Sequence, residues 1–345
     1  MSRPSLGLRT RLRVPGILVL ALAVPRLAAA AQESNASIRS GEVRLAASIL
    51  SPDGAGPFPA VVLLGGSGPS TRADLRPMAD RIAARGWAVL TYDKRGCGES
   101  TGDWTATSLS GLAEDAAAAL TMLAARPEVD KRRVGLWGVS NSGWVAPIAA
   151  GRTEAARFLV VVTGGGATPR EVEIFGYDHR LAHAGLSDAQ VADGREAVKS
   201  YLRYLESGRG LAELESSLAD PAHKPWADAL GLERVLPGEG RRKAWEWVAG
   251  YDPVPDIARL KIPTLVLLGG RDEETPLAPT ISGWTSGLSA SGIPASRILV
   301  VPAASHALNA GAHHAPGGHG GPPQFVDGVF DEAAAWEKTA TGTTR

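Results

Sequence analysis

The sequence predicts an α/β protein: a mostly parallel central sheet with helices on both faces and one all-helical insertion. Short apolar runs without polar alternation recur along the chain, as at residues 60–64 (AVVLL) and 264–268 (TLVLL). Such runs suit strands buried on both faces. Helical segments stand between the runs, the order that builds a parallel sheet. Between residues 168 and 252 the alternation stops, and only helical patterns remain.

The elements follow in order. Residues 42–50 (EVRLAASIL) read as an early strand, ended by a turn-rich Ser-Pro-Asp-Gly-Ala-Gly-Pro. The run 60–64 leads into Gly65-Gly66-Ser67-Gly68-Pro69. Residues 75–85 have helical spacing, with Leu75, Met78, Ile82 and Ala83 on one face. The strand 87–92 (WAVLTY), an Ala-rich helix over 109–125, the strand 134–137 (VGLW) and a helix opening near Ser142 come next. Three more apolar strands are 158–163 (FLVVVT), 264–268 and 297–301 (RILVV). The insertion carries helical patterns at 188–205 and an aromatic Ala244-Trp245-Glu246-Trp247. A helical insertion between two sheet strands reads as a cap over the carboxyl edge of the sheet; peripheral helices away from any site are the alternative. Residues 313–321 (HHAPGGHGG) are low-complexity and lack the acidic or Cys partners of a built metal site.

The N-terminus reads as a cleavable export signal. Arg3, Arg9, Arg11 and Arg13 precede an apolar stretch at 14–24 (VPGILVLALAV), and Ala28 to Ala31 offer small residues for cleavage before Gln32. The stretch is short for a membrane span, so stable membrane insertion is not expected. The organisation is therefore a signal peptide over 1–31, core over 32–167, cap over 168–252 and core again over 253–345. Removing residues 1–31 discards five Arg and no acid from 36 basic and 36 acidic residues, leaving 31 against 36. A mildly acidic chain without a basic block is a poor ligand for a phosphate backbone, so no nucleic-acid partner is expected. The single cysteine, Cys97, has no partner for an internal disulfide and reads as a packing residue in a turn.

Gly138-Val139-Ser140-Asn141-Ser142-Gly143 places a serine directly after a buried strand and before a helix, the strand–turn–helix setting of a strained nucleophile. Residues two before and two after such a serine approach other backbone closely and must be small. Gly138 meets that need, and Ser142 adds only a CH2OH. The helix also aims its free N–H groups and dipole at the site. Ser142 and Ser67 are competing serines, but Ser142 has the bulky Trp144 at its own plus-two position.

A serine hydroxyl needs a neighbouring base, commonly a His oriented by a carboxylate. The strand 264–268 ends in Gly269-Gly270-Arg271-Asp272-Glu273-Glu274, so Asp272 stands on a loop at a strand's carboxyl end. Glu273 and Glu274 are rivals; Asp272 is nearest the strand. The last strand leads through Pro302-Ala303-Ala304-Ser305 to His306, again at a carboxyl edge. The loop 65–69 allows close backbone approach and lacks the Lys-Ser/Thr of a nucleotide-binding loop. The backbone N–H groups of Ser67 and Asn141 are the expected oxyanion donors.

Four segments then carry a resemblance to the α/β-hydrolase superfamily: 63–69 (LLGGSGP), 92–102 (YDKRGCGESTG), 135–147 (GLWGVSNSGWVAP) and 267–276 (LLGGRDEETP). The chain resembles more narrowly the bacterial branch of serine aminopeptidases, prolyl-oligopeptidase-like hydrolases and acyl esterases. The resemblance implies the α/β-hydrolase fold and hydrolysis of esters, amides or thioesters through an acyl-enzyme, with no metal or cofactor. Asp93 and Arg95 are implied to stabilise a turn near the entrance. Two departures stand out: Gly65-Gly66 replaces the His-Gly of many relatives, and Ser142 replaces Gly or Ala.

Carboxylic-ester hydrolysis on small or medium acyl chains is the leading expectation, with a small ester, amide or short peptide as substrate. Among the cap aromatics Phe175, Tyr177, Trp226, Trp245 and Trp247, the three tryptophans are the expected substrate contacts; packing in the cap's core is the plain alternative. Glu171 and Glu173 are candidates to hold a substrate amine, as an aminopeptidase or amidase would require. A thioesterase and a cofactor-free haloperoxidase on a similar triad compete for the same residues; an exported binding protein on this scaffold is the non-enzyme alternative, but its signature would be a missing triad member, and none is missing.

Overall fold

The structure, a computed structural model, describes residues 32–310, 324–326 and 328–342. The export signal read at 1–31 and the His/Gly-rich segment 313–321 lie outside the described residues.

Among the described residues eight strands form one sheet: β1 (Gln32–Ser40), β2 (Val43–Ser51), β3 (Phe58–Leu64), β4 (Ala88–Tyr92), β5 (Val129–Val139), β6 (Phe158–Val162), β7 (Thr264–Gly269) and β8 (Arg297–Val301). Their order is β1-β2-β4-β3-β5-β6-β7-β8. Strand β2 runs antiparallel to both of its neighbours, and every other pairing is parallel. This is the α/β-hydrolase fold.

Among the described residues there are twelve helices: α1 (Arg72–Ala83), α2 (Leu109–Ala124), α3 (Ser142–Ala150), α4 (Pro169–His183), α5 (Asp188–Ser207), α6 (Leu211–Ala219), α7 (Lys224–Leu230), α8 (Glu239–Trp245), α9 (Trp247–Gly250), α10 (Val254–Ala258), α11 (Leu277–Ser291) and α12 (Gly328–Ala340). Many starts are written locally. The hydroxyls of Thr71, Thr168 and Ser187 each accept the N–H three residues on, and Asp74, Glu171 and Gln190 reach back to the cap backbone.

The unbroken apolar runs are explained by two buried faces. On β3, Ala60, Val62 and Leu64 pack toward α2 and α3, while Val61 and Leu63 pack toward α1 and α12. Each strand side chain removed from water contributes on the order of 1.5–3 kcal/mol, which makes this alternating burial the main fold-specifying term. Helices α4 to α9 bury their apolar faces in a third cluster that includes Tyr177, Leu181, Tyr201, Leu202 and Trp226. Ile257 of α10 belongs instead to the cluster beneath the sheet.

The edge strand β1 is not anticipated by the apolar pattern. Its sequence QESNASIRS is mostly exposed and pairs only with β2, so little in it needs to be apolar. Among the described residues no helix is long and apolar enough to cross a membrane.

Candidate active site

Ser140 follows the last residue of β5 and precedes α3. Its backbone has φ 55°, a left-handed conformation that costs a non-glycine residue energy and is held by its surroundings. The Ser140 N–H donates to the Val162 carbonyl at 2.8 Å, and the Ser140 carbonyl accepts from Gly143 N–H at 2.7 Å. A Cβ at Gly138 would come within 2.7 Å of the Ser142 carbonyl oxygen, and one at Gly143 would collide with the backbone of Gly164. The strict glycines are thus 138 and 143. Position 142 has room for a hydroxyl, which donates to the Gly65 carbonyl at 2.5 Å.

His306 arrives from the loop after β8, its turn carrying Ala307 at φ 56° and Leu308 at φ 61°. The Ala307 N–H donates to the Thr163 hydroxyl at 3.1 Å, tying that turn to the end of β6. His306 Nε2 lies 2.9 Å from Ser140 Oγ, and Nδ1 lies 3.0 Å from each carboxylate oxygen of Asp272. A carboxylate only accepts, so Nδ1 carries the proton and Nε2 is free to accept from the Ser140 hydroxyl. Asp272 itself is fixed: its Oδ1 accepts the N–H groups of Glu274 at 2.9 Å and Thr275 at 2.8 Å. Its side chain is 4% exposed against 19% for His306, so the pair is largely shielded from solvent.

The two rival carboxylates are placed elsewhere. Glu273 accepts from the His306 backbone N–H at 3.5 Å and not from its ring. Glu274 accepts from Arg180 Nη2 of α4 at 2.8 Å. Burial acts to lower the His306 pKa, but the hydrogen bond and charge of Asp272, joined by the charges of Glu274 and Glu273, raise it above its ordinary value.

Gly66 lies against Ser140; a Cβ there would stand 3.3 Å from Ser140 Cβ. Ser67 and Asn141 line the same cavity as Ser140 and His306. Neither backbone N–H donates to a protein carbonyl among the described residues. The neighbouring turn is held by its charged side chains. Asp93 accepts backbone N–H groups from Arg72 at 2.8 Å and Glu99 at 2.9 Å, and Arg95 forms a bidentate pair with buried Asp115. Cys97 is free and buried in that turn.

The cavity above Ser140 holds about 400 Å³ and lies between the strand ends and the cap. Four indoles, Trp104, Trp144, Trp245 and Trp247, form part of its wall. Trp104 packs on Trp245 and Trp144 on Trp247, each pair with centroids 5.9 Å apart. Trp245 Nε1 donates to the Thr105 carbonyl at 2.7 Å and Trp144 Nε1 to the Ala167 carbonyl at 2.9 Å. The polar edges of those two are therefore satisfied by backbone, and the wall they offer is apolar.

Two expectations need correction. Trp226 does not line the cavity: it is 1% exposed and sits in the cap's own cluster. Helical spacing buries it inward with Leu181, Tyr201 and Leu230 in that cluster, whereas Trp245 and Trp247, packed at the same cluster's margin, line the cavity and meet Trp104 and Trp144. Glu171 is committed to capping α4, its carboxylate accepting from the Thr168 N–H at 2.9 Å. Glu173, two residues on, does line the cavity, as do Tyr177 and Arg180. Sequence reasoning missed Lys94, Trp104 and Trp144 as cavity residues; only the lysine's position within the Asp-Lys-Arg-Gly turn was a signal. Among the described residues no group of three or more His, Cys, Asp or Glu side chains is placed to hold a metal ion.

Comparison with known proteins places these features in a family. The profile of the X-Pro dipeptidyl-peptidase (S15 family) matches residues 40–307. Esterase EstD of Thermotoga maritima is 28% identical over 228 residues, which cover 64% of this chain and 48% of that protein. The chain thus spans about half the length of that curated relative. In structure the chain is similar to an esterase of Pyrococcus furiosus, with a TM-score of 0.53, 17% identity, and 80% of this chain and 83% of the other covered. It is likewise similar to a proline iminopeptidase of Mycobacterium smegmatis, with a TM-score of 0.54, 18% identity, and 90% and 99% covered.

Proposed function

The chain belongs to the X-Pro dipeptidyl-peptidase (S15) family and is a hydrolase of the esterase or peptidase kind; from that premise we propose that it cleaves carboxylic esters by a Ser140–His306–Asp272 acyl-enzyme mechanism. The observation that carries this is the hydrogen-bonded line from Asp272 through His306 to Ser140, opening on one cavity. Ser140 Oγ attacks the ester carbonyl while His306 Nε2 takes its proton. The negative oxygen that forms is held by the backbone N–H groups of Ser67 and Asn141, each such donor being worth about 2.7–4 kcal/mol. His306 then returns the proton to the leaving alkoxide. Water attacks the acyl-enzyme with His306 as base, and Ser140 is released. The indole wall accepts the apolar acyl chain.

Labelling with a fluorophosphonate tests the nucleophile. The wild type takes one equivalent and Ser140→Ala takes none; equal labelling of the two ends the assignment. A panel of p-nitrophenyl esters beside aminoacyl p-nitroanilides tests the bond. Glu173 favours a second substrate class, aminoacyl compounds, because a carboxylate in the cavity wall can hold an ammonium group. Burial raises its pKa to about 6, against the charge of Arg180 and a hydrogen bond from Tyr177. Faster turnover of the p-nitroanilides, lost in Glu173→Gln, replaces the esterase assignment with this one.

We further propose that the protein is exported, on the strength of the basic, apolar and small-residue order of its first 31 residues. Expression of the full chain in a bacterial host checks this: an N-terminus at Gln32 in the exported fraction is expected, and retention with Met1 intact refutes it.

A further inference from the structure

We propose that Lys94 is a positioning residue that holds the oxyanion loop in register with Ser140, a role that rests on the serine-hydrolase mechanism above. Lys94 Nζ donates to the carbonyl of Gly66 at 2.7 Å and to that of Gly68 at 2.6 Å. Those two carbonyls flank Ser67, so one ammonium clamps both sides of the residue whose N–H faces the developing oxyanion. The loop between them has little stiffness of its own, since Gly65, Gly66 and Gly68 carry no side chains and Gly68 is left-handed at φ 73°.

Lys94 is itself anchored. Its N–H donates to the Ser70 carbonyl at 2.9 Å, and its ammonium lies 5.7 Å from the centroid of the Trp104 ring. The turn it belongs to is pinned by Asp93 and by the Arg95–Asp115 pair. The sheet order β4-β3-β5 places the loop after β4 beside the loop after β3, and that loop beside the Ser140 turn. The Ser142 hydroxyl, bonded to the Gly65 carbonyl, ties the loop's first residue to α3. Between them, Lys94 and Ser142 hold the carbonyls of Gly65, Gly66 and Gly68. Burial lowers the Lys94 pKa to about 8, with Cys97 opposing; at neutral pH the side chain is a charged donor.

The test uses Lys94→Met, which keeps a long apolar stem and removes the donors. Hydrolysis of p-nitrophenyl butyrate gives kcat and KM, and a trifluoromethyl ketone, which forms a tetrahedral oxyanion on the nucleophile, gives a Ki. Losing one oxyanion donor costs roughly a hundredfold in kcat. The expected result is a fall of about that size in kcat, KM within about threefold, and a Ki that rises in step with the loss in kcat/KM. A kcat within about threefold of wild type overturns the proposal and leaves the triad standing. A raised KM with kcat intact overturns it too, because Lys94 would then bind substrate. If Lys94→Met does not fold, Lys94→Gln, which keeps an N–H donor, is judged by the same split, with a loss of about tenfold expected. A wild type that neither hydrolyses nor takes the fluorophosphonate removes the mechanism itself, and the loop assignment falls with it.

Discussion

Asp272→Asn is the substitution that separates Asp272 from its two glutamate neighbours. In the wild type both carboxylate oxygens lie 3.0 Å from His306 Nδ1, and Oδ1 also accepts two backbone N–H groups, from Glu274 and Thr275. An asparagine must keep its oxygen at the Oδ1 position to satisfy those two donors. Its NH2 group then occupies the Oδ2 position, which faces the Nδ1–H proton across 3.0 Å. Moving the imidazole proton to Nε2 relieves that contact, and Nε2 can no longer accept from Ser140 Oγ. The variant also lacks the negative charge that stabilises the imidazolium. Wrong-tautomer variants of this kind lose about 10⁴-fold in kcat, which at 1.36 kcal/mol per tenfold is about 5 kcal/mol of barrier. Steady-state hydrolysis of p-nitrophenyl butyrate near pH 8 measures it, with a thermal melt within a few degrees of wild type as the control for folding. Glu273→Gln and Glu274→Gln in the same assay keep kcat within about tenfold. A loss below tenfold for Asp272→Asn, or an equal loss for either glutamine variant, refutes the reasoning.

Three further outcomes are expected. Catalysis needs neutral His306, and its pKa is raised, so kcat/KM falls as pH drops through a value above the ordinary 6.5. Removing one of the carboxylates that raise it, as in Glu273→Gln, moves this acid limb to lower pH; a limb that moves upward or stays fixed contradicts the electrostatic account. Trp226→Ala opens a cavity in the cap's core and costs about 3–5 kcal/mol in chemical denaturation, whereas Trp247→Ala raises KM for p-nitrophenyl butyrate about tenfold with a smaller loss of stability. Arg133 forms a bidentate pair, at 2.9 and 2.6 Å, with Glu337, whose side chain is fully buried. Arg133→Met leaves that charge unpaired and destabilises by about 3–5 kcal/mol, read as a lower Tm with kcat unchanged.

The strands were legible where burial on both faces forced every residue to be apolar, as at Ala60 to Leu64 and Phe158 to Val162. They were illegible where one edge meets solvent: β1 is held by backbone pairing to β2, and its exposed side chains carry no period. Helix α11 was also unanticipated, because its sequence LAPTISGWTSGLSAS mixes Gly, Ser and Thr with the apolar Trp284 that anchors it. The proposed triad positions come from a local rule, one candidate just past each of three strand ends. Asp272 is preferred over Glu273 and Glu274 only as the residue nearest the strand end; the physical ground, that the loop's own N–H groups from Glu274 and Thr275 converge upon it, has no signature in sequence.

The contacts between the cap and the core, which shape the cavity above Ser140, have no local signature. Arg180 of α4 reaches Glu274 at 2.8 Å, Arg241 of α8 reaches Asp103 at 3.2 Å, and Trp245 reaches the Thr105 carbonyl. Each joins residues far apart in the chain, and in sequence Arg180 and Arg241 look like any solvated cation on a helix. The same holds within the aromatics: Trp226 and Trp245 both sit on short helices, yet one fills the cap and the other closes the cavity against Trp104. Burying an indole against its own helices or against a neighbouring element releases similar apolar area from water. Composition and periodicity therefore cannot distinguish the two; only the packing of α7 and α8 does. A catalytic residue is fixed by the strand that presents it, whereas a specificity residue is fixed by which helix the cap turns toward the core.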